Sequence, residues 1–152
     1  MSENRMKQRL IKLTEDRRVM IPRSINARMN PTVLECDEQT HTLLIAFPTA
    51  EWMSNPMGII HGGILSTAAD MSMGTLCFYL AAENLCPTGS LSINYLRPGV
   101  IGPRLICRAH SDFFGRTVLH TSCEAWMEDA PDKLVFTATG VFVNVRREVI
   151  DR

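Results

Sequence analysis

One short stretch of the chain gathers residue types that could act on a carbonyl group. It holds an amide, an imidazole, two adjacent glycines and a carboxylate, at Asn55, His61, Gly62, Gly63 and Asp70. A helix that begins at glycines presents free backbone N–H groups, and its dipole favours a nearby negative charge. Such an end could stabilise the oxyanion that forms when a carbonyl is attacked. A turn that needs a positive φ would also explain the two glycines.

Asp70 is the only acidic residue between Gly58 and Ala82. A carboxylate on an apolar helix is unfavourable unless it is partnered or protonated, and such a group suits a general base or a nucleophile. A structural aspartate that caps an element or pairs with an arginine is the alternative. His61 could hydrogen-bond a carbonyl oxygen or orient a loop. Asn55 could polarise a carbonyl, position water or serve as a turn residue.

The spacing of His61 and Asp70 constrains any site that uses both. Nine residues of helix rotate the chain by about 180° and advance it by roughly 13 Å. If both residues lie on the helix, one chain cannot aim both side chains at one small substrate. A shared site therefore takes His61 from one subunit and Asp70 from another, and a two-fold axis creates two identical composite sites.

The elements that must position these residues are predicted from hydrophobic periodicity. His61–Glu83 is predicted as one long helix, apolar on nearly every face and therefore enclosed by protein on most sides. A shorter helix is predicted over Met1–Asp16. Six strands are predicted, at Val33–Asp37, Thr42–Phe47, Ser90–Leu96, Leu105–Phe113, Thr117–Met127 and Lys133–Val145. The last three strands predict an antiparallel meander, and the whole order predicts an α+β sheet curled around one central helix, with a partner covering the rest.

Composition and charge exclude several classes of partner. The chain has 152 residues, enough for one domain with a core, and Lys plus Arg equals Asp plus Glu at 16 each. We therefore expect no nucleic-acid or membrane partner. The five cysteines form no CxxC pair, and no His or Cys ligand spacing is present, so we expect no metal and a reducing cytoplasmic location. The apolar run Ile59–Ala82 contains Asp70, which argues against a membrane span.

The run from Asn55 to Asp70 resembles the motif of hotdog-fold thioesterases of the phenylacetate-degradation (PaaI) type. The resemblance continues through Thr88 into Leu91–Pro98 and covers roughly residues 46–145. It implies a hotdog fold, in which a curved antiparallel sheet wraps one long central helix. It also implies a single domain over residues 1–152, of which residues 1–30 are an N-terminal helical extension. The implied activity is hydrolysis of acyl-CoA by a homodimer or a homotetramer of two dimers, without metal or other cofactor.

The resemblance also implies a role for each motif residue. Asp70 would act as general base or nucleophile, while His61 and Asn55 would bind and polarise the thioester. The Gly62 amide would form the oxyanion site, and Thr88 would help to position the water. Gly89 departs from the family, which more often has an apolar residue there, so the Thr88 hydroxyl could be placed differently.

Two further residues are predicted to bind substrate. At Gly63 the missing side chain would let a ligand approach the backbone. Arg97 follows the strand that Thr88 opens, and its planar guanidinium suits a phosphate of coenzyme A. A structural role for Arg97, as the partner of a carboxylate, is the alternative.

Three other functions remain as alternatives. A non-catalytic acyl-CoA binding module could keep the fold and the glycines but would not need Asp70. A hotdog hydratase or dehydratase also acts on acyl thioesters, but its motif with an aspartate upstream of the histidine is not found. A cysteine nucleophile such as Cys77 is disfavoured, because buried cysteines usually serve packing.

Overall fold

A single antiparallel sheet forms the framework of the computed structural model, which describes residues 4–146. Its strands are β1 (Thr32–Asp37), β2 (Thr42–Phe47), β3 (Thr88–Tyr95), β4 (Leu105–Phe114), β5 (Val118–Met127) and β6 (Leu134–Val143). The helices are α1 (Arg5–Met20), α2 (Ile25–Met29) and α3 (Gly62–Leu80), with a short 3-10 helix at Glu51–Met53. The spatial order of the strands is β1-β2-β4-β5-β6-β3.

All six predicted strands are confirmed, with ends that differ by no more than two residues from the prediction. The alternation is clearest in β5, where every second residue from Leu119 to Met127 is buried and the residues between are not. Because side chains along a strand point to opposite faces, this pattern turns one face of the sheet to the core. The predicted meander is β4-β5-β6.

The long helix α3 lies across the inner face of the curved sheet and packs against β2, β3, β4, β5 and β6. Its buried residues include Leu65, Ala69, Met73 and Leu76. The predicted long central helix of an α+β fold is therefore confirmed, but it begins one residue later and ends three residues earlier than predicted. His61 is its N-cap, and Ala82 and Glu83 have positive φ and cannot continue the helix. No helix within residues 4–146 is long and apolar enough to cross a membrane.

The enclosure of α3 is incomplete within one chain. Its buried side faces the sheet, but Ile64, Met71, Gly74 and Phe78 are only half-buried along another face. Their spacings of seven, three and four residues place them on one stripe of the helix. The sequence predicts that a partner covers the part of α3 that the sheet leaves open, and this stripe is such a part.

The strand β3 lies at one edge of the sheet, hydrogen-bonded to β6 on one side only. An edge strand presents unpaired N–H and C=O groups, which can accept another strand. The register shifts between Thr88 and Ser90, so that Gly89 is bulged out of the ladder. A Cβ at Gly89 would lie 3.2 Å from the Val141 carbonyl oxygen, which explains why a glycine occupies this position.

The two N-terminal helices pack on the outside of this framework. Asn4 caps α1 by accepting a hydrogen bond from the backbone N–H of Lys7. The helix buries Met6, Leu10 and Thr14, spaced four residues apart, and it packs against β1 and α3. The helix predicted over Met1–Asp16 is confirmed from residue 5 and continues to residue 20, while residues 1–3 lie outside the described residues.

Candidate active site

The N-terminus of α3 is closed by His61, which is its N-cap residue. The His61 Nδ1 accepts a hydrogen bond of 2.9 Å from the backbone N–H of Gly63. An accepting Nδ1 carries no proton, so this neutral imidazole carries its proton on Nε2. A Cβ at Gly63 would lie 3.1 Å from Nδ1, and the glycine therefore lets the ring cap the helix closely. The Gly63 N–H already donates to His61 and is not available to a substrate. A substrate could still approach the Gly63 backbone closely, because the residue has no side chain.

The backbone N–H of Gly62 has no hydrogen-bond partner among the described residues. Gly62 is the first residue of α3, where an N–H group points out of the helix. Neither Gly62 nor Gly63 has a positive φ, so the structure excludes that explanation of the pair. A Cβ at Gly62 would make an ordinary van der Waals contact with the Tyr95 ring, at 3.4 Å. Tyr95 donates its hydroxyl to the Gly62 carbonyl at 2.9 Å and thereby fixes this turn to the end of β3.

Asn55 is both a turn residue and a potential donor. Its Oδ1 accepts hydrogen bonds from the backbone N–H groups of Met57 and Ile59, at 2.9 and 3.4 Å. These bonds orient the amide, and Nδ2 has no partner among the described residues. An amide held in this way can donate to a carbonyl oxygen or to water.

A cavity of about 320 Å³ lies beside this turn. Asn55, Gly62, Tyr95 and Arg97 line it together, while His61 is not among its lining residues. Arg97 donates from Nη1 to the Leu134 carbonyl at 3.0 Å, so its structural partner is a carbonyl and not a carboxylate. Its other N–H groups remain for a ligand, because a guanidinium has five donors.

Asp70 and Thr88 meet in a second cavity, of about 290 Å³. The Thr88 hydroxyl donates to Asp70 Oδ1 at 2.5 Å. Asp70 is half-buried and borders the open stripe of α3, because it lies four residues before Gly74. The Gly89 bulge directly follows Thr88, and a bulge can re-aim a neighbouring side chain. The departure from the family at Gly89 therefore does not prevent the Thr88 hydroxyl from reaching Asp70.

Cys86 also lines the Asp70 cavity but is poorly suited to be a nucleophile. Burial raises the pKa of the Cys86 thiol to about 11, against the opposing effect of Arg17. Burial raises the pKa of Cys77 even further above its ordinary value. Because the thiolate is the reactive form, both groups are thiols at neutral pH, which argues against cysteine chemistry.

The structure thus brings the predicted residues together in two groups and not in one. Asn55, Gly62 and Arg97 share one cavity, and Asp70 and Thr88 share the other. Sequence reasoning missed Tyr95, whose contact with Gly62 joins residues 33 positions apart. The sequence shows that Tyr95 lies at the end of the strand that begins with Thr88. It does not show that the Tyr95 hydroxyl bonds to the first residue of α3.

A family model describes the same part of the chain. The model of the thioesterase superfamily matches residues 57–132, which is half of the chain and includes His61, Gly62, Asp70 and Thr88. The chain belongs to the thioesterase superfamily. A search of curated protein sequences gave no match.

Solved structures share the fold over nearly their full length. Mouse thioesterase superfamily member 2 has a TM-score of 0.76 at 21% identity, over 94% of this chain and 98% of that chain. The Escherichia coli PaaI protein of the phenylacetic acid degradation operon has a TM-score of 0.71 at 19% identity, over 90% of this chain and 96% of that chain. A hypothetical thioesterase protein of Streptococcus pneumoniae TIGR4, crystallised with coenzyme A, has a TM-score of 0.67 at 21% identity, over 76% of this chain and 88% of that chain. The expected hotdog fold is therefore confirmed, and the E. coli PaaI protein shares it.

Proposed function

We propose that this chain hydrolyses acyl-CoA thioesters at a site shared between two subunits. The observation that carries the proposal is the distribution of polar groups along β3. Thr88, bonded to Asp70, begins the strand, and Tyr95, bonded to Gly62, ends it. One edge strand therefore connects two half-sites, one formed by Asp70 and Thr88 and the other by Gly62 and Asn55.

A two-fold axis at the middle of β3 would bring unlike half-sites together. If β3 pairs antiparallel with the β3 of a second copy, the Thr88 end of one strand faces the Tyr95 end of the other. Asp70 of one subunit then approaches Gly62 and Asn55 of its partner. This arrangement also covers the open stripe of α3 and satisfies the free edge of the sheet. It supports the dimer expected from the spacing of His61 and Asp70, alone or as half of a tetramer.

The groups of such a site fit the hydrolysis of a thioester. The free Gly62 N–H, at the positive end of α3, would stabilise the negative charge on the attacked carbonyl oxygen, and Asn55 Nδ2 would donate to the same oxygen. Asp70 would take a proton from the attacking water as general base, or would attack the carbonyl carbon itself. The Thr88 hydroxyl holds one carboxylate oxygen and leaves the other to act. On the general-base route, the released thiolate of coenzyme A would recover the proton from Asp70. On the nucleophilic route, the thiolate would leave as the acyl–Asp70 anhydride forms, and water would then hydrolyse the anhydride to the free acid, restore the carboxylate and supply the proton of the thiol.

Coenzyme A is the proposed leaving group because of a cation beside the oxyanion site. Arg97 lines the same cavity as Gly62, where it could bind a phosphate. Arg104 and Arg108, by contrast, already pair with Glu128 and Glu124. Among the similar structures, the Streptococcus pneumoniae protein was solved with coenzyme A and a Streptococcus mutans protein with acetyl-CoA.

The test is release of free thiol from a panel of aromatic and straight-chain acyl-CoAs. Asp70→Asn should lower kcat by about 100-fold or more, the scale expected for loss of a general base. The matched control is Asp132→Asn, an exposed aspartate in the β5–β6 turn, which should keep the wild-type rate. Wild-type rates in a folded Asp70→Asn protein would contradict the mechanism. Acyl-CoA binding by the wild type without any thiol release would instead support the non-catalytic module.

A further inference from the structure

The N-terminal helix α1 contributes a cation to the cavity that holds Asp70. Arg17 lines this cavity together with Asp70 and Thr88, although it lies outside the motif that defines the candidate site. Its Nη1 donates to Thr75 Oγ1 at 3.3 Å, and its guanidinium lies 5.1 Å from the centroid of the Phe78 ring. Contacts with two residues of α3 therefore hold the guanidinium in place.

The charge of Arg17 is not balanced within the described part of the chain. A guanidinium has five N–H donors, and the hydrogen bonds of residues 4–146 use one of them, toward Thr75. No salt bridge among these residues includes Arg17. Burial lowers the pKa of Arg17 below its ordinary value, because the cation is partly removed from water. A half-buried cation is unfavourable unless an anion or hydrogen-bond acceptors accompany it.

Arg17 is placed where it could contact the end of an acyl chain, when the thioester carbonyl at the other end of that chain lies beside Asp70. Thr75 follows Asp70 by five residues, which places it about 7.5 Å further along the axis of α3. Gly74 lies on the cavity wall between them, where the Phe142 ring packs within 3.3 Å of the position that a Cβ would take. Met71 and Phe142 also line this cavity and provide apolar surface for methylene groups.

We propose that Arg17 binds a carboxylate at the far end of the acyl group, so that the preferred substrates are coenzyme A thioesters of short dicarboxylic acids. The planar fork of a guanidinium matches a carboxylate with two parallel hydrogen bonds. The inference rests on the proposed thioesterase function and names the substrate class for its site. The N-terminal helix then serves as the part of the chain that selects the acyl group.

The experiment compares glutaryl-CoA with its uncharged isostere, in which an isopropyl end replaces the carboxylate. The wild type should show a kcat/KM for glutaryl-CoA roughly 10- to 100-fold higher, the range that one charge-assisted hydrogen bond gives. Arg17→Met should remove this preference and leave the rate with the isostere nearly unchanged. The control is Arg9→Met on the same helix, where an exposed arginine pairs with Glu83 away from the Asp70 cavity.

Three results would overturn the inference. The first is equal wild-type rates for the two substrates, which needs no variant and does not depend on how Arg17→Met folds. The second is an equal loss of rate for both substrates in Arg17→Met, which would show that Arg17 acts on Asp70. The third comes from binding to the Asp70→Asn variant by calorimetry, where equal affinity for both ligands would count against a carboxylate site. Since this measurement needs no turnover, it separates failure of the inference from failure of the proposed hydrolysis.

Discussion

Thr88 has one O–H group to donate, and it donates it to Asp70 Oδ1. The hydroxyl therefore cannot also donate to an attacking water, although its lone pairs can still accept a hydrogen bond from that water. We therefore propose that Thr88 fixes the direction of the carboxylate and acts as a positioning group for Asp70. Its free lone pairs are compatible with the expectation that Thr88 also helps to position the water.

Removal of the Thr88 hydroxyl should therefore weaken catalysis without preventing it. We expect Thr88→Val to lower kcat by roughly 10- to 100-fold, because a hydrogen bond to a charged group is worth about 1.5–3 kcal/mol. Thr88→Ser keeps the O–H and should recover most of the rate. The measurement is kcat for thiol release in both variants. Equal losses in the valine and serine variants would show that the methyl group and not the hydroxyl matters.

Arg97 should affect binding of coenzyme A more than the chemical step. A contact with a phosphate that does not react binds the ground state and the transition state alike, so Arg97→Ala should raise KM and leave kcat nearly unchanged. The effect should shrink as salt rises, because an exposed charge is screened. It should vanish for an acyl thioester of pantetheine that lacks the nucleotide phosphates. An equal rise of KM with that truncated substrate would mean that Arg97 acts through its bond to the Leu134 carbonyl.

At this scale the sequence predicts residue types better than their contacts. An isolated carboxylate and a glycine pair are visible in the sequence, and the structure pairs Asp70 with Thr88 and leaves the Gly62 N–H free. The partners of Tyr95 and Arg17 are not predictable in the same way. Each contact joins residues that are distant in sequence, Tyr95 with Gly62 and Arg17 with Thr75, and depends on how the elements pack.

The cap of α3 combines a structural and a functional group in one side chain. His61 caps the helix through Nδ1 and leaves Nε2–H on the other side of the ring. The cap fixes the turn that presents the Gly62 N–H. A variant at this position therefore changes two properties, the stability of the helix end and the chemistry available there.

Two variants of His61 should separate these properties. We expect His61→Ala to lower the free energy of unfolding by about 1 kcal/mol, the usual effect of losing an N-cap. His61→Asn supplies a good capping oxygen and should restore stability while leaving thiol release impaired. Chemical denaturation and initial rates measure the two effects. Wild-type activity in His61→Asn would show that the imidazole serves only as a cap.

At the scale of elements, periodicity predicts most of the fold. The alternating residues of β5 predict a strand, and the nearly continuous apolar residues of α3 predict a buried helix. Both patterns exist because burial on one face, or on most faces, leaves a periodic mark in the sequence. The bulge at Gly89 and the insertion of Arg17 from α1 leave no such pattern. A bulge depends on the partner strand, and the position of α1 depends on packing against β1 and α3.

At the scale of the whole molecule, strand order is the part that the sequence does not predict. β3 precedes β4 in the chain but pairs with β6, and β2 pairs with β4 across the intervening α3 and β3. A local hydrophobic pattern carries no information about such crossovers. The dimer was expected from helix geometry and from the family resemblance, and we propose that the second copy pairs along the free edge of β3.

The shared site predicts complementation between inactive chains. His61→Ala and Asp70→Ala should each be impaired, whereas a mixed dimer would contain one site with both native residues. After subunit exchange, activity should rise toward a quarter of the wild-type value, since about half of the dimers are mixed and each has one intact site. Exchange is confirmed by mass spectrometry of differently labelled chains. Verified exchange without recovery of thiol release would mean that each chain carries its own complete site.

The separation of the two cavities also bears on inheritance. If a single chain carried both lesions, at His61 and at Asp70, a dimer with a normal chain would hold no intact site, because each site would draw one damaged residue. Such an allele would be dominant: in a cell that makes both chains equally, only a quarter of the dimers would work. An allele with one lesion would spare one site in each mixed dimer. Two lesions on different chains would leave one intact site in each mixed dimer, which is also a quarter of all sites. The same geometry thus makes the harm of the two mutations independent of whether one copy of the gene or both copies carry them.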